Sequence, residues 1–213
     1  MLFDTHCHLS EAADFDDNDN DRDRIGVVHT VSHFALMSTN ENNWRTTRAF
    51  GDINRQRLLV GYGVHPWFAE SVSSQWCSSL EAALRADPRA FCGECGLDKV
   101  AKNRATGLLY DFDAQLRVFR AQFDLASRLQ RPLSLHCVQA HGAMLDELRA
   151  RNNDAAAAAA LPPAIALHSF SGKPPLVSAY LATGKAMRER LYFGFSFVVN
   201  ARTEQRTIEA IQV

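Results

Sequence analysis

Seven short apolar runs, starting roughly 25 to 42 residues apart, constrain the fold of this chain more than any other feature. They are LFDTHCH (2–8), VVHTVSHF (27–34), RLLVGYGVH (57–65), AFCGECGLD (90–98), PLSLHCV (132–138), PAIALHSF (163–170) and RLYFGFSFVV (190–199). Each is mostly apolar, as a strand buried on both faces must be. The segments between them carry helical periodicity. In DFDAQLRVFRAQFDLASRLQRP, residues Phe112, Leu116, Phe119, Phe123 and Ala126 recur at spacings of three and four, and Pro132 stops the run. SSQWCSSLEAALRADP ends at Asp87-Pro88, PPLVSAYLATG opens on prolines and closes on Gly184, and TEQRTIEAIQ has Thr203 in the N-cap place. Strands alternating with helices, with no change of composition along the way, predict an α/β TIM-type (β/α)8 barrel with about seven of its eight βα units present. RNNDAAAAAALPP reads as a helix tail running into a surface loop.

Composition sets the outer limits. With 213 residues, 46% of them hydrophobic, the chain suffices for one sizeable core but not for two comfortable domains. A net charge of −1 provides no global attraction to nucleic acid or an anionic membrane, so a polyanion would have to meet a local basic patch. No apolar run approaches the ~18 residues of a membrane-spanning helix, and the N-terminus has no signal-peptide pattern. Five cysteines, an odd number, fit a reducing compartment. These features lead us to expect an intracellular, cytoplasmic protein with no membrane partner.

The ionisable residues inside the apolar runs fall near their C-terminal ends: Asp4, His6, His8, His65, Glu94, His136 and His168. In a barrel that end is where active sites are built. Residues two apart on a strand face the same way, so His6 and His8 share a face and Cys7 points opposite. HxH by itself reads equally as a hydrogen-bonded pair in a core. Glu94 says more, because a carboxylate in a Gly/Cys-rich strand is costly to bury without a cation, and no Lys or Arg follows until Lys99. His136 and His168, each closing an apolar run, would singly pass for core histidines. Together the set points to a metal centre, with imidazole and carboxylate donors that suit Zn, Mn, Co or Fe, and Mg where carboxylates and waters contribute. Five ligands exceed what one tetrahedral ion needs, which suggests two ions bridged by Glu94. Cys92 and Cys95 form a C-x-x-C, a redox or zinc motif elsewhere; here we read them as small buried apolar residues, on opposite faces of the strand end.

The chain resembles the TatD family of metal-dependent deoxyribonucleases, within the amidohydrolase-like barrels. The resemblance is carried by DTHCHL, GVHPW (63–67), GECGLD (93–98), LHCVQAHGAML, ALHSFSG (166–172) and LYFGFS (191–196), and runs from residue 1 to 213. It implies a phosphodiesterase with two divalent ions, Zn, Mg or Mn, acting on DNA or another nucleic acid. His6 and His8 would bind the first ion, Glu94 would bridge, and His136 and His168 would bind the second. His65 would face the substrate phosphate, and Asp98 would be a positioning group near the catalytic centre. The family also has a last strand ending in an aspartate that binds the first ion. Here the sequence stops at TIEAIQV, and no aspartate follows Asp154. Residues 1–213 are therefore expected to form a single, C-terminally incomplete barrel domain, short of the ~250 residues usual for the fold. Substrate contacts would come from loops at the metal face: Lys99, Lys102 and Arg104 after the fourth strand, Lys173 after the sixth, and Arg202 and Arg206 after the seventh. Tyr62, Trp67 and Phe68 near His65 could stack a base or simply be core. Two other function classes fit the pattern: an amidohydrolase-type enzyme for a small amide or ester, whose bridging ligand is often a carboxylated lysine where Glu94 stands here, and a catalytically impaired nucleic-acid-binding barrel.

Overall fold

The computed structural model describes residues 2–8, 31–152, 160–201 and 204–212. Strands β1 (Leu2–Cys7), β2 (Val31–Met37), β3 (Leu58–Tyr62), β4 (Phe91–Asp98), β5 (Leu133–Val138), β6 (Ile165–Leu167) and β7 (Leu191–Phe193) pair in sequence order, every pair parallel. The described helices are α1 (Glu41–Ile53), α2 (Trp76–Ala86), α3 (Phe112–Leu129), α4 (His141–Asn152), α5 (Pro174–Leu181), α6 (Lys185–Arg188), α7 (Phe197–Asn200) and α8 (Glu204–Ile211), with a 3-10 turn over Pro66–Ser71. In a flat sheet the ends of β1 and β6 would lie five strand spacings apart, about 24 Å. Instead the ring of His6 on β1 stacks on that of His168, just past β6, at 3.8 Å and 7°. Lower down, Phe3 and Thr5 share an apolar pocket with Ala164 and Ala166. The sheet is curled, and the architecture is that of a TIM-type barrel with seven parallel strands.

Helix α3 shows how the outer layer is fixed. Asp111 caps its start, accepting from the backbone N–H groups of Asp113 and Ala114 at 2.8 and 3.1 Å, and Gln130 ends it in the left-handed conformation (φ 52°). Val118, Phe119, Phe123 and Ala126 are buried in the main core, whereas Phe112 and Leu116 are only partly covered. The places that apolar periodicity would give those two belong to Gln115 and Gln122, at most 1% exposed. Gln122 accepts from Val64 N at 2.7 Å and donates to Val64 O at 3.0 Å. Gln115 does the same for Asp98, at 2.7 and 3.0 Å. Each amide side chain satisfies the backbone at or just past a strand end, where no further ladder partner is available. The helix is thereby locked in register against the chain segments that carry His65 and Glu94.

Several boundaries differ from the sequence reading. The run 190–199 divides: β7 stops at Phe193, and Phe197–Asn200 is helical. The Asn200 side chain draws the chain into this turn by accepting from Ser196 N at 2.6 Å and donating to Phe170 O at 2.7 Å. The run 163–170 shrinks to Ile165–Leu167, and Ser169 adopts φ 47°. The second strand is centred later than 27–34, and positions 27–30 lie outside the described residues, as does Thr203. Helix α1 has little apolar periodicity to announce it; a capping box between Asn40 and Asn43 starts it, and Trp44, Thr47 and Gly51 form its narrow buried face. Cys92 and Cys95 do not face opposite ways, since both join the main core cluster. The β4–β5 register shifts between them, which breaks the simple alternation of faces. Both are free thiols.

Candidate functional site

The strand ends converge on Glu94. This carboxylate is 2% exposed at the centre of β4. His168 Nε2 lies 2.7 Å, His136 Nδ1 3.0 Å and His65 Nε2 3.6 Å from its Oε1. His8 Nε2 and His6 Nε2 lie 3.1 and 3.4 Å from its Oε2. The HxH pair on β1 thus delivers both rings to one side, while Cys7 packs the other way against the cluster of Phe34, Leu36 and Leu58. Room for the β4 backbone is made by glycine. At Gly96 (φ 148°) an added Cβ would run into the carbonyl of His136.

Electrostatics at the centre follow from burial and from these neighbours. Burial would raise the Glu94 pKa, but the imidazoles of His136, His168, His6 and His8 outweigh it and hold the carboxyl well below its usual range. Burial pushes His65 down to about 3 and His168 to about 4, despite Glu94. His136 goes up, to about 9, because contacts with Asp98 and Glu94 overcome its burial. Asp98 is itself lowered: the opposing effect of burial is exceeded by His136, by the Trp67 indole N–H (3.0 Å) and by the backbone N–H groups of Val100 and Ala101.

The residues present fit a metal centre. Ring nitrogens crowd together around the carboxylate: His136 Nδ1 is 3.3 Å from both His65 Nε2 and His168 Nε2, and His6 Nε2 is 3.1 Å from His8 Nε2. Glu94 Oε2 and His168 Nδ1 are buried without a hydrogen bond among the described residues, Oε2 because neither nearby ring meets it in hydrogen-bonding geometry. A cation beside Glu94 would give Oε2 a partner and hold the crowded ring nitrogens together. Two groups each converge within 4.8 Å, His6–Glu94–His168 and His65–Glu94–His136. Glu94 belongs to both. Curling of the sheet pairs His6 with His168, and His65 stands beside His136.

A cavity of about 780 Å³ opens beside the centre, with His8, His65 and Glu94 at its floor and Trp67, Lys102 and Arg104 among its walls. The other basic candidates lie elsewhere. Lys99 is held over the Phe112 ring at 5.1 Å, Lys173 is the N-cap residue of α5, Arg206 lies within α8, and Arg202 is outside the described residues. Of the aromatics, Tyr62 is core at 1% exposure, and Phe68 and Trp67 line the cavity. Sequence reasoning missed Tyr110, which also lines it, and Gln115 and Gln122. The two glutamines left a trace, seven residues apart on the face of Phe119, whereas Tyr110 left none.

The family description for TatD related DNases matches residues 3–213. The chain belongs to this family. It is 34% identical to the 3'-5' ssDNA/RNA exonuclease TatD of Edwardsiella piscicida over 134 residues, a match spanning 63% of this chain but only 44% of that enzyme. Over 215 residues it is 26% identical to a metal-dependent hydrolase TatD of Mycobacterium tuberculosis, covering 99% of this chain and 74% of the relative. Among solved structures, the TatD homologue YJJV of Escherichia coli superposes with a TM-score of 0.76 at 23% identity, over 99% of this chain and 73% of that one. Membership places the chain among metal-dependent hydrolases and nucleases of barrel fold. Among the described residues no helix is long and apolar enough to cross a membrane.

Proposed function

We propose that the chain acts as a metal-dependent deoxyribonuclease, cleaving phosphodiester bonds with two divalent cations held around Glu94. The observation that carries this reading is one buried carboxylate approached on both oxygens by five imidazoles. His6, His8 and Glu94 would hold one ion and Glu94, His136 and His168 the other, with His65 beside them on the substrate side. An imidazole-rich, buried donor set favours Zn or Mn over Mg. When bound, the ions would supply charge stabilisation of the phosphodiester and a lowered pKa for attacking water.

The chain's own residues support this chemistry in definite ways. Glu94 stays ionised and offers both oxygens. His65 Nδ1 accepts from Trp67 N at 3.2 Å, so its neutral ring carries the proton on Nε2, the nitrogen that faces Glu94. That N–H can donate to a phosphate oxygen entering from the cavity. Asp98 orients His136 and Trp67 together. Lys102 and Arg104 supply positive charge at the cavity wall.

The test is metal content and cleavage of end-labelled single-stranded DNA by the purified protein. Bound metal should exceed one ion per chain, chelation should abolish cleavage, and Mn, Zn or Mg should restore it. Glu94→Gln should lose metal and activity together. Undiminished cleavage by Glu94→Gln would overturn the reading, and turnover of small amides but not of phosphodiesters would move it to the amidohydrolase alternative.

A further inference from the structure

The cavity beside the metal centre has a wall that metal binding does not explain. Trp67 is 41% exposed. Its indole N–H donates to Asp98 Oδ2, so the ring's edge is pinned, and His65 meets it in a T-shaped contact with centroids 4.9 Å apart. The ring of Tyr110 lies parallel to it, at 8° with centroids 6.3 Å apart. Between Asp98 and Tyr110 the chain makes an ordered excursion. Lys102 pairs with Leu109 in an isolated antiparallel bridge, Asn103 N donates to Leu108 O at 2.8 Å, and Asn103 Oδ1 accepts from Ala105 N and Thr106 N at 2.9 and 3.3 Å. This excursion places Lys102 and Arg104 on the same cavity as the aromatic pair. Among the described residues neither cation is in an ion pair, unlike Arg120, Arg128 and Arg151, which meet carboxylates.

We infer that Trp67 and Tyr110, with Lys102 and Arg104, form a nucleotide subsite next to the metal centre, where an unpaired base stacks on the aromatic pair and its phosphate meets the two cations. The inference rests on the nuclease reading and adds the residues that hold the base and its phosphate. Aromatic faces stack any base, and unpaired cations track phosphates, so the subsite binds with little sequence preference. A volume of about 780 Å³ suits a group of nucleotide size. The anchor of the platform is also informative. Asp98 is fixed by Val100 N, Ala101 N and Gln115, and it touches both Trp67 and His136. One buried carboxylate therefore sets the distance between the stacking face and the metal ligands.

The test uses the full chain in EDTA, where nothing is cleaved, with Trp fluorescence as readout and a thymidine oligonucleotide as probe. Of the three tryptophans, Trp44 is buried, Trp76 is half-buried against the main core, and Trp67 is the one that lines the cavity, so quenching that disappears in Trp67→Phe reports on a base stacked there. We expect saturable quenching, about tenfold weaker binding for Tyr110→Ala, and rescue by Tyr110→Phe. An oligonucleotide of abasic residues should bind about as weakly to the native chain as the thymidine one does to Tyr110→Ala. Replacing Lys102 and Arg104 together by Ala should reduce the slope of log affinity against log salt by roughly 1.4. Equal affinity for abasic and base-bearing probes, or no loss in Tyr110→Ala, would overturn the inference. Cleavage of bis(4-nitrophenyl) phosphate by the metal-loaded native chain is a separate arm. If that diester is cleaved while base dependence is absent, only the subsite fails; if it is not cleaved with any metal while base-dependent quenching persists, the nuclease reading fails and the subsite stands.

Discussion

His136 Nε2 faces Asp98 Oδ2 at 3.4 Å across the ends of neighbouring strands. Its other nitrogen, Nδ1, lies 3.0 Å from Glu94 Oε1. One imidazole is thus held between two carboxylates, one among the proposed ligands and one behind them. A carboxylate behind a ligating histidine fixes the ring and makes it a better donor, typically by ten- to a hundredfold in metal affinity. Asp98→Asn, of nearly the same size, should lower metal affinity by about that range, read by competition with a chromophoric chelator. Unchanged affinity would show that Asp98 serves only the loop and Trp67.

Gln115 carries a second consequence. It accepts from the backbone N–H of Asp98 and donates to the carbonyl of the same residue, while 1% exposed. Gln115→Leu keeps the volume and leaves both backbone groups buried and unpaired. Each orphaned group costs roughly 1–3 kcal/mol. The variant should therefore unfold at clearly lower urea, with stability reduced by about 2–4 kcal/mol, and its remaining folded fraction should bind metal more weakly because Asp98 moves. A urea midpoint equal to the parent's would mean that water replaces the amide.

Gly96 is fixed by both conformation and space. At φ 148° it sits where side chains are rarely tolerated, and a Cβ there would meet the backbone of His136. Gly96→Ala should force β4 and β5 apart between Glu94 and His136 and cost roughly 2–4 kcal/mol. Thermal unfolding tests this, and an unchanged melting temperature would show that the two strands can separate there at no cost.

These residues also show what could be read from the sequence. The histidines are legible because they fall near the C-terminal ends of apolar runs, and Glu94 because it interrupts one at its middle, and a buried polar group in either place needs a reason. Their convergence followed from the barrel. The pairing of His6 with His168 did not, because it depends on how far the sheet curls, which no strand pattern encodes. Gln115 and Gln122 escaped because a polar residue in an amphipathic helix reads as a solvent-facing position. The apolar run 190–199 was read too long, since a short apolar stretch does not distinguish strand from helix, and the turn after Gly194 is set by hydrogen bonds of Asn200 with Ser196 and Phe170. Tyr110 lies in a loop whose position is fixed by Asp98 and Asn103, so its place beside Trp67 is purely tertiary.

Glu147 provides a prediction away from the site. It joins α4 to α3: Arg120 donates to it through Nη2 at 2.6 Å and Nε at 3.1 Å, and Arg151 through Nη1 at 2.8 Å. Arg151 in turn lies over the rings of Phe123 and Phe119, at 4.6 and 5.7 Å, so the carboxylate also steadies a cation packed on the core. The hydrogen bonds from Arg120 are the main reason that the Glu147 pKa falls below its ordinary value, with burial opposing and Arg151 assisting. The folded-state pKa is lower than the unfolded one, so the contribution is fully present above the unfolded pKa, near 4.5, and is lost as pH falls through the folded value. Glu147→Gln should thus cost about 1 kcal/mol at pH 7, given that Arg120 is largely solvent-exposed, and nothing at pH values low enough to protonate the native carboxyl. Urea unfolding of parent and variant at a series of pH values from neutral to strongly acidic checks this. The two stabilities should converge below pH 4.5; a gap that stays constant down to the acid limit would mean that Glu147 acts through packing and not through its charge.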